Sequence, residues 1–319
     1  MARYGMTIPI GGVPLHAHRE WLEEMVDLGY TDFWSSEANG HDGFTPLALA
    51  SAWTPTARLG IAIIPAFTRG PALMAQSVAS LADAAPGRFV MGIGTSSDVI
   101  VGRWNGIPFE KPYQRTRDMV RFLRKALAGE KVDEAFETFT VKGFRSGVKL
   151  EQQPKILVAA LREGMLKMAG REGDGAILNW LSAEDVKQVV PYVHAGGEGK
   201  EIVARIFVLP VEDRQTALAI GRRAVAAYLN VPVYAAFHEW LGRGDALAGM
   251  WKAWKEGDRA AALEAIPEEV VDALIINGSP GHCREQVQAY VEAGVHTPAL
   301  AILHADDLRQ AVRDLAPAP

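Results

Sequence analysis

Side chains able to bind an anion or move a proton directly follow several apolar runs of the sequence. They include hydroxyls, an amide, carboxylates, cations and an indole, and they are Ser35, Ser36, Glu37, Thr68, Arg69, Thr95, Ser96, Ser97, Asp98, Arg162, Asn179 and Trp180. If the apolar runs are parallel strands, their carboxyl ends share one rim, where these side chains would form a site. We expect about half of them to be ordinary caps or surface residues, because polar residues prefer loops.

The segment GIGTSS at 92–97 suggests a phosphate site. Its two glycines let the backbone approach a ligand closely, and the hydroxyls and free N–H groups of Thr95, Ser96 and Ser97 could hold a phosphate. A dinucleotide fingerprint is not supported, because Ser97 replaces the third glycine and no acidic residue ends a second strand about 20 positions on. A glycine-rich strand end followed by a polar turn is the alternative that the sequence leaves open.

Metal, hydrolytic and phosphoryl-transfer chemistry find no support in the motifs. The segment that begins at His238 has Gly242 where a zinc-peptidase helix needs its second histidine. His16 and His18 lack carboxylate or cysteine partners, so we expect them on the surface. Cys283 is interpreted as a small packing residue, since no histidine partner can be assigned. No nucleophile elbow or P-loop occurs, and no metal site is predicted.

The composition is that of a globular protein with a large core. The chain has 319 residues, of which 49% are hydrophobic and 22% charged, and a net charge of −5. Charges of both signs are mixed, which indicates neither a nucleic-acid partner nor an anionic membrane surface. There is no uninterrupted apolar stretch of about 18 residues and no signal-peptide pattern, so we expect a cytoplasmic protein without a membrane span. The single cysteine fits a reducing compartment.

Eight short apolar runs would position the candidate site. Most are apolar at consecutive positions, as strands buried on both faces must be. They lie at 4–9, 32–36, 59–65, 88–94, 155–160, 174–179, 202–209 and 298–303. Because longer amphipathic segments alternate with them, we predict an α/β fold, a closed (β/α)₈ TIM barrel. An open, doubly wound sheet is the alternative.

Local signals place several helix ends. An apolar stripe stops at Gly29, and Pro71 stands where a first helical residue would. Ser182, with Asp185 three positions on, is a candidate N-cap for a helix that ends at His194.

The chain is interpreted as a single domain over 1–319 with two insertions. One covers about 95–154, after the fourth strand, and the other about 211–297, between the seventh and eighth strands. The second is helical and contains three tryptophans. It is too long for a simple connection, so we expect a lid or an oligomer contact.

The chain resembles the luciferase-like oxidoreductases, in particular their actinobacterial deazaflavin-dependent branch, over nearly its whole length. Any one of the similar segments is unspecific, but together they are spaced as strand-end loops should be. They are LGYTDFWSSE (28–37), RLGIAIIPAFTRGPALMAQ (58–76), APGRFVMGIGTSS (85–97), WNGIPFEKPYQRTRDMV (104–120), VAALREGMLKMAGREGDGAILNW (158–180) and INGSPGHCREQV (276–287).

This resemblance implies a flavin-like ring across the barrel mouth and hydride chemistry at that ring. The implied cofactor is coenzyme F420, and the implied reaction is hydride transfer to or from C=C, C=O or C=N in a small substrate. An FMN-dependent monooxygenase and a non-catalytic flavin-binding or deazaflavin-binding barrel are the alternatives. The family also leads us to expect a homodimer.

The resemblance further implies where the cofactor is held. A non-proline cis peptide at Ala62-Ile63 would form a bulge behind the central ring, with a regular trans strand as the alternative. The other implied contacts are Thr95, Ser96, Ser97, Ala159, Ala160, Leu161, Arg162, Asn179 and Trp180. Packing between barrel and helix remains an equal interpretation for Trp180.

The proton donor is the point at which this chain departs from its relatives. Many of them carry a histidine after the acidic residue that follows strand two, whereas here Glu37 is followed by Ala38. We hypothesise that Glu37 lies in a partly apolar site where burial favours the neutral acid. His41, beside Asp42, is the second candidate. Alternatively, Glu37 is a carboxylate paired with a nearby arginine, or a helix cap.

Overall fold

The computed structural model describes residues 3–317, so the first two and last two residues of the predicted domain lie outside the described part. The strands are β1 Gly5–Thr7, β2 Asp32–Ser35, β3 Arg58–Ile61, β4 Ile64–Pro65, β5 Phe89–Gly94, β6 Val132–Ala135, β7 Thr140–Phe144, β8 Lys155–Ala159, β9 Gly175–Asn179, β10 Glu201–Leu209, β11 Ile275–Asn277 and β12 Thr297–Ile302. Eight parallel strands follow one another around a ring in the order β1, β2, β3, β5, β8, β9, β10 and β12, and β12 pairs with β1. The predicted TIM barrel is confirmed, and the open sheet is excluded.

Helices surround this barrel. They are α1 His18–Asp27, α2 Thr45–Trp53, α3 Pro71–Ala84, α4 Pro112–Leu127, α5 Glu163–Glu172, α6 Ala183–His194, α7 Arg214–Leu229, α8 Pro232–Trp240, α9 Gly244–Glu256, α10 Arg259–Glu264, α11 Glu268–Leu274, α12 Pro280–Glu292 and α13 Leu308–Asp314. Pro71 is the first residue of α3, as predicted. Ser182 and Asp185 form a reciprocal capping box at the start of α6, which confirms the predicted cap. Within residues 3–317, none of the helices has the length and apolar character needed to cross a membrane.

The predicted run 59–65 is two strands rather than one. β3 ends at Ile61, and β4 resumes at Ile64 after a cis peptide bond between Ala62 and Ile63. The chain steps out of register there, so β4 pairs with the end of β5.

Both predicted insertions contain a regular helix of the barrel. Residues 95–154 comprise a π-helical turn Val99–Trp104, α4 and the antiparallel hairpin of β6 and β7. Because α4 packs between α3 and α5, it belongs to the helical ring. In the same way, α12 packs against α6 and β12. The added part of the second insertion is therefore α7 to α11, followed by β11, which extends the sheet beside β10.

One histidine expected on the surface is buried. His18 accepts a hydrogen bond from the Ile10 backbone N–H at Nε2 (2.8 Å), and Nδ1 lies 2.9 Å from the Pro14 carbonyl oxygen. A neutral imidazole with its proton on Nδ1 satisfies both contacts. The expectation was wrong for His18 because these partners come from the backbone of the loop after β1. His16 is exposed, as expected.

The barrel interior is filled by a small apolar cluster centred on Trp34, which is 1% exposed. A Cβ atom at Gly60 would lie 2.2 Å from the Trp34 ring, so only glycine fits on the neighbouring strand. The rest of the cluster comes from alternate positions of the other strands: Val90, Leu157, Ile177, Val203 and Ala299. The filled interior makes the barrel a packed core rather than a pore.

Below Trp34, at the amino ends of the strands, lies a buried ionic cluster. Arg58 is paired with Asp32 and with Glu201, whose Oε1 is 2.6 Å from Nη1 of the arginine. Lys155 Nζ lies 2.8 Å from the second carboxylate oxygen of Glu201. Burial acts to raise the pKa of Glu201, but the charges of Arg58 and Lys155 outweigh it and lower that pKa below 4.5.

We predict that Arg58→Met lowers the free energy of unfolding by about 3–5 kcal/mol, because Asp32 and Glu201 would lose the buried cation between them and keep only the more exposed Arg3 and Lys155. Urea unfolding monitored by circular dichroism measures this loss. The matched control is Lys187→Met, which breaks an exposed pair with Glu184 and should cost less than about 1 kcal/mol.

The same cluster should make stability depend on pH in the acid range. Since the pKa of Glu201 is lowered in the folded state, its contribution is present above the unfolded value of 4.5 and is lost as the pH falls through the folded value. Glu201→Gln should flatten that dependence. Equal acid sensitivity of the wild type and Glu201→Gln would contradict the assignment.

Candidate active site

On the side of β3, β5 and β8, the partly exposed apolar residues Ala62, Ile63 and Ala159 lie at the carboxyl ends of the strands. A Cβ atom at Gly94 would lie 2.9 Å from Cβ of Ala159 and 3.2 Å from Cδ1 of Ile63. Because it has no side chain, Gly94 lets Ala159 and Ile63 pack closely against it. Ala62, Ile63 and Ala159 border the apolar cluster of the barrel interior and form its upper surface. The result is an apolar floor above the packed interior.

The predicted cis peptide at Ala62-Ile63 is confirmed, and it lies at the edge of this floor. Hydrogen bonds tie the bulge to β2 on both sides. Ala62 N–H donates to the Ser35 carbonyl oxygen (2.6 Å), and Glu37 N–H donates to the Ile63 carbonyl oxygen (3.2 Å). The bulge and the backbone of the candidate acid are therefore one connected unit.

The Glu37 carboxylate has three partners. Oε1 accepts from Arg69 Nη1 at 2.7 Å and from Thr68 Oγ1 at 3.3 Å, and Oε2 accepts from Gly43 N–H at 3.2 Å. The side chains of Glu37 and Arg69 are only 14% and 18% exposed, so water screens the ion pair weakly. The structure thus has the arginine-paired carboxylate that the sequence left as the alternative. The acid role of Glu37 stays a prediction.

His41 lies exposed in the loop between β2 and α2. The neighbouring carboxylate does not pair with it, since Asp42 Oδ1 accepts from the backbone N–H groups of Phe44 and Thr45, both at 2.9 Å. Asp42 therefore orders the start of α2. A role of His41 in proton transfer remains a prediction.

A cavity of about 440 Å³ opens beside the floor and brings together four of the predicted cofactor residues. They are Thr95, Ala159, Leu161 and Arg162. Val233 and Trp240, both of α8, cover the opposite wall, so the second insertion forms part of this site. Whether the insertion is a lid or an oligomer contact stays a prediction.

Ser96, Ser97 and Ala160 were also predicted to contact the cofactor, but they do not line this cavity. Ser96 has a positive φ of 62°, and Ser97 Oγ accepts from Ile100 N–H at 3.3 Å, which caps the π-helical turn. Ala160 is buried, and its N–H donates to the Ile177 carbonyl oxygen, so that group is occupied within the sheet. Their part in cofactor binding stays a prediction.

Asn179 and Trp180 follow β9 and have different surroundings. Asn179 Nδ2 donates to Tyr234 Oη at 3.1 Å, while its Oδ1 is buried without a hydrogen-bond partner among the described residues. Trp180 is 1% exposed, with its ring centroid 4.2 Å from that of Phe207 and 4.8 Å from that of Tyr228. Trp180 therefore packs α7 against β10, as in the interpretation that this residue packs a helix on the barrel.

Sequence reasoning missed Tyr234 because it lies within the second insertion, far from any strand end. Burial raises the pKa of Tyr234 to about 12, so its hydroxyl is neutral at physiological pH. The length of the second insertion was the one feature of the sequence that suggested a role for this region.

A second cavity, of about 420 Å³, opens at the ends of β1, β10 and β12. Thr7, Arg205 and His304 are its polar lining residues. Sequence reasoning missed Arg205 as well, although it is the one charge inside the apolar run IVARIFVL. A charge at the inward-facing position of a buried strand was the available signal.

Similarity to known proteins agrees with this architecture. The model of a family described as luciferase-like monooxygenase matches residues 3–297. The chain belongs to this family.

A putative coenzyme F420-dependent oxidoreductase of Mycobacterium tuberculosis is 27% identical over 337 aligned positions, covering 96% of this chain and 95% of the relative. Among solved structures, the coenzyme F420-dependent tetrahydromethanopterin reductase from Methanopyrus kandleri has a TM-score of 0.82 at 19% identity, covering 99% of this chain and 97% of that one. An F420-dependent secondary alcohol dehydrogenase in complex with an F420–acetone adduct has a TM-score of 0.79 at 15% identity, with coverages of 99% and 97%. These two structures establish the shared fold.

For the pair of Glu37 and Arg69, we predict a coupling energy of about 1–3 kcal/mol in a double-mutant cycle of Glu37→Gln and Arg69→Met. The pair is partly buried, so each single variant should leave the other charge poorly solvated. Urea unfolding of the four proteins measures the coupling. The exposed pair of Glu163 and Lys167 is the reference, with an expected coupling below about 0.5 kcal/mol. Equal couplings for the two pairs would show that Arg69 does not hold Glu37 in place.

Proposed function

We propose that the chain is an oxidoreductase that transfers a hydride between coenzyme F420 and a small organic substrate with a C=C, C=O or C=N bond. The observation that carries the proposal is the partly exposed apolar floor of Ala62, Ile63 and Ala159, which borders the cavity lined by Thr95 and Arg162. Family membership and the relative named for this coenzyme support it.

The residues present fit a planar ring with a phosphate-bearing tail. Ala62, Ile63 and Ala159 present a partly exposed apolar surface beside the bulge, and Oδ1 of Asn179, which has no hydrogen-bond partner among the described residues, is an acceptor at the mouth. When bound, the deazaflavin supplies the hydride. The protein orients the reactants and excludes water, with α8 covering the cavity.

The tail would lie in the first cavity. Arg162 is exposed at the N-terminus of α5, where a guanidinium and the positive end of the helix dipole both attract a phosphate. The hydroxyl of Thr95 adds a donor, and the backbone of Leu161 forms the wall between them.

Glu37 is the proposed proton donor, with His41 as the second candidate. Glu37 must first take up a proton, which the Arg69 ion pair opposes. Movement of Arg69 away from Oε1 would release the carboxyl group. In that mechanism the loop that carries Thr68 and Arg69 controls when Glu37 acts.

An FMN-dependent monooxygenase is the second candidate, favoured by the description of the matching family. Both cofactors would use the same floor and the same phosphate cavity, so binding and oxygen chemistry must separate them. A homodimer in the cytoplasm remains our expectation for the chain.

We predict that the purified protein binds coenzyme F420 and consumes no oxygen when a reducing system is added. Arg162→Met should weaken binding about tenfold, because a charge-assisted contact to phosphate is lost. Fluorescence titration measures the affinity, and an oxygen electrode measures the uptake. Arg19→Met removes an exposed arginine of α1 outside both cavities and should leave the affinity unchanged. Preferred binding of FMN with oxygen uptake would instead support the monooxygenase, and binding without turnover of enones, ketones or imines would support a binding protein.

Glu37→Gln should slow the single-turnover rate of hydride transfer by about 10²-fold or more and abolish the fall in rate at higher pH that loss of the Glu37 proton causes, since glutamine cannot give up a proton. Stopped-flow absorbance of the cofactor measures the rate. His41→Gln, tested in parallel, distinguishes the two candidates. An unchanged rate and profile in Glu37→Gln would disprove its acid role.

A further inference from the structure

The second cavity contains a cation, Arg205, that has no carboxylate partner among residues 3–317. Arg205 lies in the middle of β10, with Asn179 beside it on β9 and Ala299 beside it on β12. Its guanidinium carbon is 5.0 Å from the centroid of the Phe207 ring. Between residues 3 and 317, no carboxylate lies within ion-pair distance of it, whereas Arg58 and Arg69 each contact one at 2.6–2.7 Å.

Two polar atoms of this cavity are buried without a hydrogen-bond partner in the described part of the chain. They are Arg205 Nε and Thr7 Oγ1. A buried donor without a partner costs about 1–3 kcal/mol, so in a native protein a ligand or an ordered water is expected to satisfy it. Both atoms belong to strands of the same rim, and both residues line the same space.

The remaining walls of the cavity are apolar. The other lining residues are Met6, Pro9, Ile10, Gly11, Ala301, Ile302, Leu303, Ala305 and Leu308, and within residues 3–317 no aspartate or glutamate lines the space. His304, the other ionisable lining residue, lies 3.5 Å from the exposed carboxylate of Asp306. The cavity therefore combines one uncompensated positive charge with an apolar wall.

This cavity faces the proposed cofactor floor across the barrel. In the ring of eight strands, β10 is opposite β3, β12 is opposite β5, and β1 is opposite β8. A planar ring that rests on the floor of β3, β5 and β8 would turn its free face toward β10, β12 and β1. The second cavity is thus on the side from which a reaction partner would approach.

We propose that the second cavity binds the carboxylate of an apolar organic acid, with Arg205 and Thr7 as the anion-binding groups. This inference rests on the proposed function, because it identifies the substrate of that site as an acid. Arg205 pairs with the carboxylate, the Thr7 hydroxyl donates a second hydrogen bond, and the apolar body of the acid lies against the apolar part of the lining, which includes Ala301 and Leu303.

The test uses trans-cinnamate and its uncharged analogue trans-cinnamamide, which have nearly the same shape. Isothermal titration of the full chain, with and without coenzyme F420, measures the affinity for each probe. The wild type should bind cinnamate about tenfold more tightly or better. In Arg205→Met this ratio should fall to about one, Arg205→Lys should restore part of it, and Thr7→Val should lower it by a smaller factor.

Three controls keep the result interpretable. Arg162→Met removes the cation of the first cavity and should leave the cinnamate preference unchanged. Arg19→Met, outside both cavities, should leave the affinities for both probes and for the cofactor unchanged. Circular dichroism and the melting temperature verify that each variant is folded, and Arg205→Lys and Thr7→Val carry the test if Arg205→Met does not fold.

Several outcomes would overturn the inference: equal affinities in the wild type, no binding of either probe up to roughly 10 mM, or a preference that survives Arg205→Met. A loss of F420 affinity in Arg205→Met with an unchanged cinnamate preference would assign the cation to the cofactor and also overturn it. Failure of the wild type to bind F420, with the cinnamate preference intact, would disprove the proposed function while the anion site stands.

Discussion

The contact between Trp34 and Gly60 divides the barrel into a filled lower part and an open mouth. Trp34 occupies the centre of the interior, and the neighbouring strand must lack a side chain to admit it. The Arg58 guanidinium carbon lies 5.4 Å from the Trp34 ring, so the indole separates the ionic cluster from the mouth. Because the interior is closed below, ligands reach the barrel only through the rim at the carboxyl ends of the strands.

Three arginines above and below Trp34 differ in their carboxylate partners, and this difference corresponds to different roles. Arg58 is neutralised by Asp32 and Glu201, which is the chemistry of a structural cluster. Arg69 is held by Glu37 beside the cis bulge, where an ion pair can be rearranged during a reaction. Arg205 has no carboxylate partner among the described residues, which is the chemistry of a binding site. An arginine side chain thus stabilises the fold, positions Glu37 or binds a ligand anion, depending on whether a carboxylate of the protein lies beside it.

The second insertion completes the mouth from outside the barrel. Tyr234 Oη accepts a hydrogen bond from Asn179 Nδ2, and Trp240 covers the cavity that contains Arg162. Trp180, between Phe207 and Tyr228, anchors this insertion on β10 and β9. Substrate choice in such a barrel depends on loops of this kind, because the strands that carry the floor are constrained by the packing beneath them.

Local patterns determined the eight barrel strands, the capping box of Ser182 and Asp185, and the start of α3 at Pro71, since hydrophobic periodicity and capping act over a few residues. Resemblance to a family added the cis bond at Ala62-Ile63. Tertiary structure decided which polar residues meet: it paired Glu37 with Arg69, buried His18, and left Arg205 without a carboxylate. It did so because the partners lie on different strands or loops, so their contacts depend on strand order and register. A single sequence specifies those only through the complete packed fold.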